Sequence, residues 1–373
     1  MFLCAQPPDR MLSLLRYHER MGKDETNTSA GGLRGLLDAL WRIHARNETA
    51  VLGIVTATEG STYQKPGALV LLDGKGLKHG VISGGCLEPA LEDAAARVHR
   101  GGRAATVDFD TRSDEDLLFG SGIGCRGRVN MLLLPLPPRA PLARALFAAL
   151  DRGLDLQLAF AMDENELGAG RSNSDAASLR SIAVQWNREG DASDVPIETA
   201  LHVEIAAPPR LLLLGAGPET APLALFARRL GWFVDVVEHR GRWAAFAKDA
   251  AIDRLVDLAP EAAIEAVAGD RYDAMLVMSH NYSIDLAWLR FCAAAETAYV
   301  GLLGPAARRE ALLSELDAGA RERLASRLRA PIGLDLGGHG GEAVALAIAA
   351  QLQQYFSARR RLVVAQRVAN VDA

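Results

Sequence analysis

The sequence is poor in cysteine and has no long apolar run. Four cysteines occur in 373 residues, and no two of them form a CxxC pair. So small a number excludes a disulfide framework, and the spacing gives no support for a structural zinc site. No apolar stretch approaches the ~20 residues that a membrane-spanning helix needs, and the apolar start at residues 1–5 is too short for a signal peptide. We therefore expect a soluble cytoplasmic protein with reduced thiols and no membrane contact.

The sequence also lacks an excess of charge of one sign. Its formal net charge is −5, which gives no basic surface for the phosphate backbone of a nucleic acid. Hydrophobic residues make up 49% and charged residues 23% of the chain, a composition that is typical of globular proteins and unlike that of disordered ones. Because 373 residues exceed one ordinary core, we expect two domains.

The best domain boundary lies at the Ala206-Ala207-Pro208-Pro209 segment, where two prolines would end a strand and stiffen a linker. A polar tail (1–32) and an N-terminal domain (33–206) precede the C-terminal domain (207–373). In the N-terminal domain the periodicity predicts helices at 33–44 and 88–100 and strands at 50–58, 68–72, 77–82, 129–135, 154–162, 179–186 and 201–206.

The C-terminal domain alternates strands and helices. The predicted strands are 210–214, 233–237, 273–278, 298–302 and 331–334, and the predicted helices are 220–230, 284–295, 306–317 and 342–355. Such alternation is typical of a parallel sheet with helices on both faces. The expected fold class is therefore α/β, with a mixed N-terminal domain and a Rossmann-like C-terminal domain.

The segment from Leu211 to Arg240 has the pattern of a dinucleotide-binding turn. Gly215 would permit the tight turn after a strand, and Gly217 would let the backbone approach a pyrophosphate at the start of a helix. Glu238 ends the next strand, where a carboxylate can accept a hydrogen bond from a ribose hydroxyl. The pattern predicts NAD(P) or another nucleotide in this crevice.

Two features of the turn depart from that pattern. Thr220 occupies the place of the third glycine, and Arg240 and Arg242 follow the acidic residue, which is compatible with a 2′-phosphate. The alternative is a Rossmann-like fold whose crevice is vestigial or adapted to another ligand.

A second candidate site is the glycine-rich loop Ser83–Glu88, which precedes a predicted helix. Cys86 at a helix N-terminus would have its thiolate stabilised by the helix dipole and by loop amides. Gly84 and Gly85 would let the backbone approach a ligand, and Glu88 could cap the helix or bind that ligand. The alternative is a cysteine that only packs in the core.

Histidine and aspartate supply two further candidates. His280 follows a predicted strand at its carboxyl end, where open α/β sheets bind ligands, so we expect a ligand contact or a hydrogen bond that stabilises the loop. Asp108 and Asp110 alternate along a strand; a solvated strand edge is favoured over a paired-carboxylate site.

Several short motifs occur in a recognisable order. They are residues 59–68 (EGSTYQKPGA), 83–88 (SGGCLE), 116–125 (DLLFGSGIGC), 215–217 (GAG), 278–281 (MSHN), 301–304 (GLLG) and 331–335 (PIGLD). Together they closely resemble the XdhC/CoxI family over about residues 33–356. Arg126, next to Cys125, stands where many members have glycine or asparagine, which leaves the role of Cys125 open.

The resemblance implies a role in molybdenum enzyme maturation. Members of the family bind molybdenum cofactor, protect it while its terminal sulfur is installed, and pass it to a xanthine- or aldehyde-oxidising apoenzyme. The implied partners are that molybdenum hydroxylase apoenzyme and a cysteine desulfurase. The implied cofactor site is the GGCxE loop with Gly84, Gly85, Cys86 and Glu88, and Cys125 belongs to a second motif. A homodimer is the default expectation for such an α/β protein.

Two other functions stay open. One is an NAD(P)-dependent oxidoreductase that uses the Gly215 turn for its cofactor and Cys86 or His280 for chemistry. The other is an assembly factor whose crevice is only a docking surface. No tyrosine–lysine pair or other recognisable hydride-transfer group follows the turn in the sequence, so a non-catalytic maturation factor is favoured over an oxidoreductase.

Overall fold

The protein forms two compact units. The computed structural model describes residues 30–111, 127–161, 181–187 and 200–371. Residues from Gly32 to Ala207 belong to the first unit, and the chain from Pro208 onward, together with the short segment before Gly32, belongs to the second. No helix in these ranges is long and apolar enough to cross a membrane.

The first unit is built on an antiparallel sheet. Over the described residues this sheet has five strands in the order β3-β2-β1-β5-β4, and every neighbouring pair is antiparallel. Its elements are α1 (Gly32–Ala45), β1 (Ala50–Gly60), β2 (Leu69–Asp73), β3 (Gly76–His79), α2 (Glu88–Gly101), β4 (Ala105–Asp110) and β5 (Gly127–Leu136). The helices and strands predicted for this stretch are confirmed, except that β3 ends at His79 and not at residue 82.

Helix α2 positions the glycine-rich loop that precedes it. Its buried residues Leu91, Ala94, Ala95 and Val98 recur at helical spacing and pack with the apolar side chains of the sheet. Gly102 ends the helix with a φ of +62°, a left-handed conformation that glycine adopts without strain. The buried face thus fixes the N-terminal end of α2 at the sheet.

A smaller sheet completes the first unit. Among the described residues, β6 (Asp155–Ala161) lies between β7 (Ser181–Asn187) and β8 (Ala200–Ile205), antiparallel to both. These three strands were predicted. Helix α3 (Pro141–Arg152) was not, because the prolines around its start indicate a turn more strongly than the following residues indicate a helix.

The second unit contains a doubly wound parallel sheet. In the described part of the chain it has six strands in the order β11-β10-β9-β12-β13-β14. The strands are β9 (Arg210–Leu214), β10 (Phe233–Val237), β11 (Arg254–Val256), β12 (Ala274–Val277), β13 (Val300–Leu302) and β14 (Leu328–Arg329). The order reverses between β9 and β12, which is the place where open α/β sheets bind ligands. The predicted Rossmann-like fold is confirmed.

Helices cover both faces of this sheet. They are α4 (Thr220–Arg229), α5 (Gly241–Lys248), α6 (Pro260–Val267), α7 (Tyr282–Ala294), α8 (Ala306–Ser314), α9 (Ala318–Ala325) and α10 (Gly341–Val371). The central strand β9 is buried throughout: Leu211 and Leu213 pack with α4 and α10, and Leu212 and Leu214 pack with the helices of the opposite face. A near-continuous apolar strand is typical of a parallel sheet.

The strand predicted at 331–334 is wrong, because β14 ends at Arg329. Pro331 has no N–H to donate to a ladder. The next amides mostly bond to α10 instead of a strand: Gly333 N–H donates to Gln351 Oε1 at 3.0 Å and Leu334 N–H to Ala347 O at 3.1 Å. Four further elements, α5, β11, α6 and α9, were not predicted, and all of them are eight residues or shorter.

Candidate functional site

The glycine-rich loop of the first unit is anchored by Ser83 and Glu88. Glu88 Oε1 accepts hydrogen bonds from Ser83 N at 3.0 Å and from Ile82 N at 3.3 Å, and Glu88 Oε2 accepts one from the Ser83 hydroxyl. The same hydroxyl oxygen accepts from Gly85 N at 3.2 Å and Leu87 N at 3.0 Å. Glu88 therefore fixes the loop that carries Cys86.

Hydrogen bonding keeps Glu88 ionised. Burial by itself would raise the pKa of this carboxyl, but the hydrogen bonds from Ser83 and Ile82 outweigh burial and hold the pKa below its usual range. Glu88 thus acts as a negatively charged acceptor at the start of α2, where the helix dipole also favours negative charge.

Among the described residues, the other side of the loop is open. A Cβ placed on Gly84 or Gly85 would meet no described atom within 4 Å, and Gly85 has a φ of +112°. Cys86 is partly exposed. Within the described ranges the N–H groups of Gly84 and Cys86 make no hydrogen bond, whereas those of Gly85 and Leu87 are bonded to Ser83. The loop therefore presents one thiol and two unbonded amides on a fixed backbone.

Two other predicted residues of this unit remain to be placed. Cys125 lies outside the described residues. Asp108 forms an ion pair diagonally across the β4–β5 ladder with Arg128, whose Nε lies 2.9 Å from both carboxylate oxygens. An ion pair on a strand is thus the structural role of Asp108.

In the second unit, the Gly215 turn has the strand–turn–helix form that the sequence predicts. Gly215 has a φ of +105°, and its N–H donates to Val237 O at 2.9 Å. A Cβ on Gly215 would lie 2.3 Å from Ser279 Cα, so only glycine fits. The turn after β9 is therefore packed directly against the loop after β12.

Glu238 is bonded on both carboxylate oxygens. Oε1 accepts from Arg240 N and Arg240 Nε, each at 2.8 Å, and Oε2 accepts from Ala216 N at 2.9 Å and from Arg240 Nη2. Arg240 also donates to Ser279 O at 2.7 Å and to Ala216 O at 3.2 Å. Burial favours a raised pKa for Glu238, but the hydrogen bonds from Arg240 and Ala216 outweigh burial and lower that pKa.

His280 meets a buried carboxylate. Its Nε2 lies 3.1 Å from Glu219 Oε1; the His280 side chain is 49% exposed and that of Glu219 is 5% exposed. The hydrogen bond to Glu219 raises the pKa of His280, because it favours the protonated ring. His280 has a φ of +58°, which is uncommon for a residue with a side chain.

An ion pair that was not predicted from the sequence holds the loop after β12 in place. Asp285 is fully buried and accepts from Ser279 N at 3.1 Å and from the Ser279 hydroxyl at 2.5 Å. Arg308 donates to the other oxygen of Asp285 at 2.6 Å. A single acid in the first turn of a mostly apolar helix was the available signal for this pair. Asn281 caps the same helix by accepting from Ile284 N at 3.1 Å.

The described residues contain no group of three or more histidine, cysteine, aspartate or glutamate side chains that could hold a metal ion. Each unit instead brings together its own predicted residues. The first unit groups Gly84, Gly85, Cys86 and Glu88 on one loop. The second groups Gly215, Gly217, Glu238 and His280 at the carboxyl edge of its sheet.

The sequence matches known families over both units. Residues 43–110 match the XdhC and CoxI family, and residues 211–352 match the XdhC Rossmann domain. Together these matches cover more than half of the chain. The chain belongs to the XdhC and CoxI family.

Two relatives are similar to this family member over almost their whole length. A Bacillus subtilis (strain 168) protein, named as a probable subunit of xanthine dehydrogenase, is 28% identical over 359 residues, which is 90% of this chain and 99% of that protein. A crystal structure from Bacillus halodurans, described as that of a xanthine dehydrogenase, has a TM-score of 0.71 and 26% identity. That match covers 88% of this chain and 96% of the other.

Proposed function

We propose that this chain binds molybdenum cofactor, protects it, and delivers it to a xanthine dehydrogenase-type apoenzyme. Membership of the XdhC and CoxI family supports a role in the maturation of such an enzyme, and the names of both relatives contain xanthine dehydrogenase. The more specific part of the proposal, delivery of the cofactor, depends on the loop around Cys86.

The observation that carries this proposal is that some residues of Ser83–Glu88 fix the backbone while others face open space. Ser83 and Glu88 hydrogen-bond to each other and together accept from four backbone N–H groups, so they set the backbone. Gly84, Gly85 and Cys86 face space that is open among the described residues. A preorganised loop with an accessible thiol can receive a ligand without reordering, which lowers the entropic cost of binding.

The chemistry of the loop suits the cofactor. When bound, molybdenum cofactor supplies a metal centre with sulfur ligands and a pterin that ends in a phosphate. The Cys86 thiolate is a soft ligand suited to a metal–sulfur centre. The unbonded N–H groups of Gly84 and Cys86, at the start of α2, suit an anionic oxygen. Cys86, Gly84 and Gly85 are therefore the residues that we expect to hold the cofactor, with Glu88 fixing their position.

The first experiment measures cofactor bound to the purified full-length chain. Molybdenum is measured by elemental mass spectrometry and pterin by fluorescence after oxidation. We expect Cys86→Ala to lose most of both. Cys292→Ala is the matched control, since it removes a thiol that is fully buried in the second unit. Equal occupancy in the wild type and in Cys86→Ala would contradict the assignment of the site.

The second experiment measures delivery. An apo molybdenum hydroxylase is reconstituted with sulfurated cofactor in the presence of the wild type, of Cys86→Ala, or of neither. We expect the wild type to give the highest activity, whereas equal activation in all three reactions would contradict the chaperone function. Oxidation of NAD(P)H by the isolated chain would favour the oxidoreductase alternative.

Three further expectations belong to this proposal. They are a cytoplasmic location, partnership with a cysteine desulfurase, and a homodimer. Light scattering after size-exclusion chromatography measures the oligomeric state, and co-purification from the cytoplasmic fraction with the apoenzyme or the desulfurase tests the other two.

A further inference from the structure

A Rossmann turn binds a dinucleotide through three features. Free amides at the start of the first helix meet the pyrophosphate, the second glycine leaves room for that group, and an acid after the second strand binds the ribose. All three can be checked in the second unit, because the fold there places β9, α4 and β10 in the required order.

Two amides of this turn are bonded internally, and a third position has no N–H. Glu219 N makes no hydrogen bond among the described residues, but it lies beside the first residue of α10. Ala216 N–H donates to Glu238 Oε2 at 2.9 Å, and Gly217 N–H donates to Thr220 Oγ1 at 2.9 Å. Pro218 has no N–H. Thr220, in the place of the third glycine, therefore supplies an internal acceptor where an enzyme of this fold would leave the amide for its ligand.

Helix α10 packs tightly against the same turn. A Cβ on Gly341, its first residue, would lie 2.7 Å from both the carbonyl carbon and the carbonyl oxygen of Pro218. The same Cβ would lie 3.0 Å from Glu219 N. The backbone of α10 thus occupies space beside the start of α4.

The space over the second glycine is also filled. A Cβ on Gly217 would lie 2.5 Å from Glu219 Oε1 and 2.6 Å from His280 Nε2. The direction in which a pyrophosphate has to approach Gly217 therefore holds an imidazole and a carboxylate. A pyrophosphate would have to displace this pair, and the Glu219 carboxylate already takes the place of an anion at the N-terminal end of α4.

Glu238, the acid after β10, cannot accept a hydrogen bond from a ribose hydroxyl. Glu238 is 2% exposed and receives four hydrogen bonds, three of them from Arg240. Arg240 extends on to the carbonyl oxygens of Ser279 and Ala216, so its guanidinium bridges the loops after β9 and β12. A ribose hydroxyl would have to displace this arginine from a buried carboxylate, which carries a large desolvation penalty.

We infer that the Gly215 turn is a self-bonded Rossmann crevice that takes neither NAD(P) nor FAD and instead joins the carboxyl ends of β9, β10 and β12 to the start of α10. The residues do not fit a dinucleotide, although the fold does. The inference does not depend on the molybdenum cofactor proposal, which concerns the other unit.

Calorimetry on the full-length chain tests this inference. NAD⁺, NADH, NADP⁺, NADPH and FAD are each titrated at about 1 mM, a concentration that detects a Kd near that value. We expect no saturable binding to the turn. Hydrogen–deuterium exchange of peptides that span residues 211–222 locates any binding without a variant, and we expect low exchange that no dinucleotide changes.

Saturable one-to-one binding that protects those peptides, or that Gly217→Ala weakens at least tenfold, would overturn the inference. Binding that leaves the exchange of these peptides unchanged and that Gly217→Ala does not weaken supports the inference, because the ligand then lies elsewhere. The wild-type exchange measurement decides the question even if Gly217→Ala fails to fold.

Discussion

His280 Nε2 lies 3.1 Å from Glu219 Oε1, so two residues 61 positions apart pair at the switch point of the parallel sheet. The carboxylate is buried and the imidazole is half exposed. The pair can exist only because Gly217 has no side chain between them.

This pair should make stability depend on pH. The hydrogen bond to Glu219 raises the pKa of His280 above the ordinary value of 6.5. The pair therefore contributes its full stabilisation below pH 6.5 and loses it as the pH rises through the raised pKa of the folded protein. Because His280 is half exposed, we expect less than about 1 kcal/mol. Urea unfolding of the wild type and of Glu219→Gln between about pH 6 and pH 9 measures this difference.

The exposed His239 provides the control, because in the described chain its side chain makes no hydrogen bond. As the pH rises, His239→Gln should lose free energy of unfolding at the same rate as the wild type. Glu219→Gln should lose less. Identical slopes in all three proteins would refute the role of the pair.

The two glycines of the turn should respond differently to alanine. Gly215→Ala places its Cβ 2.3 Å from Ser279 Cα at a φ of +105°, and backbone atoms cannot move aside cheaply. We expect a loss of about 3 kcal/mol or more, or failure to fold. In Gly217→Ala the Cβ meets only the ends of the Glu219 and His280 side chains, which can rotate away. A loss of about 1 kcal/mol is expected there, and thermal unfolding measures both.

Gly241 serves as the control for these substitutions. It lies in the first turn of α5, and a Cβ there would meet no described atom within 4 Å. Gly241→Ala should therefore leave the protein as stable as the wild type or slightly more stable. Equal losses at positions 215 and 217 would show that the turn is not packed as described.

Arg240 should be far more important to stability than Arg242. Arg240→Ala removes the guanidinium from the buried Glu238 carboxylate but leaves the bonds from Ala216 N and from its own backbone N–H. We expect a loss of about 2–3 kcal/mol. Arg242 is exposed, and its guanidinium carbon lies 5.2 Å from the centroid of the Trp243 ring. Arg242→Ala should change stability by less than about 1 kcal/mol, and a similar effect of the two variants in chemical denaturation would count against the bridging role.

The two described cysteines should differ in reactivity. Cys292 is fully buried, and burial raises the pKa of its thiol to about 12. Cys86 is partly exposed on the open side of its loop. Iodoacetamide at neutral pH should therefore label Cys86 in the native protein and reach Cys292 only after denaturation, as measured by peptide mass spectrometry. Labelling of Cys292 at the rate of Cys86 would contradict this burial.

The backbone of the crevice could be inferred from the sequence, whereas the hydrogen-bond partners of its acidic residues could not. Gly215 and Gly217 are set by local geometry, so strand, turn and helix could be inferred from neighbouring residues. Glu238 was expected to bind a ribose, because the pattern shows only its position at the end of a strand. Its partners depend on how Arg240 folds back and how the turn after β9 packs on the loop after β12, and neither is encoded within a few residues. The same limit applies to Glu219, whose partner is distant in sequence.

The long ladder between β1 and β5 has a consequence during synthesis of the protein. Ala50 pairs with Leu136 and Gly60 with Gly127, while β2 covers the other edge of β1. The ribosome therefore makes β1 long before its second partner exists. Until residue 136 has left the ribosome, a buried apolar strand keeps one open edge, and such edges pair readily with other chains. During translation of residues 61–136 the nascent chain therefore carries an apolar strand with one unpaired edge.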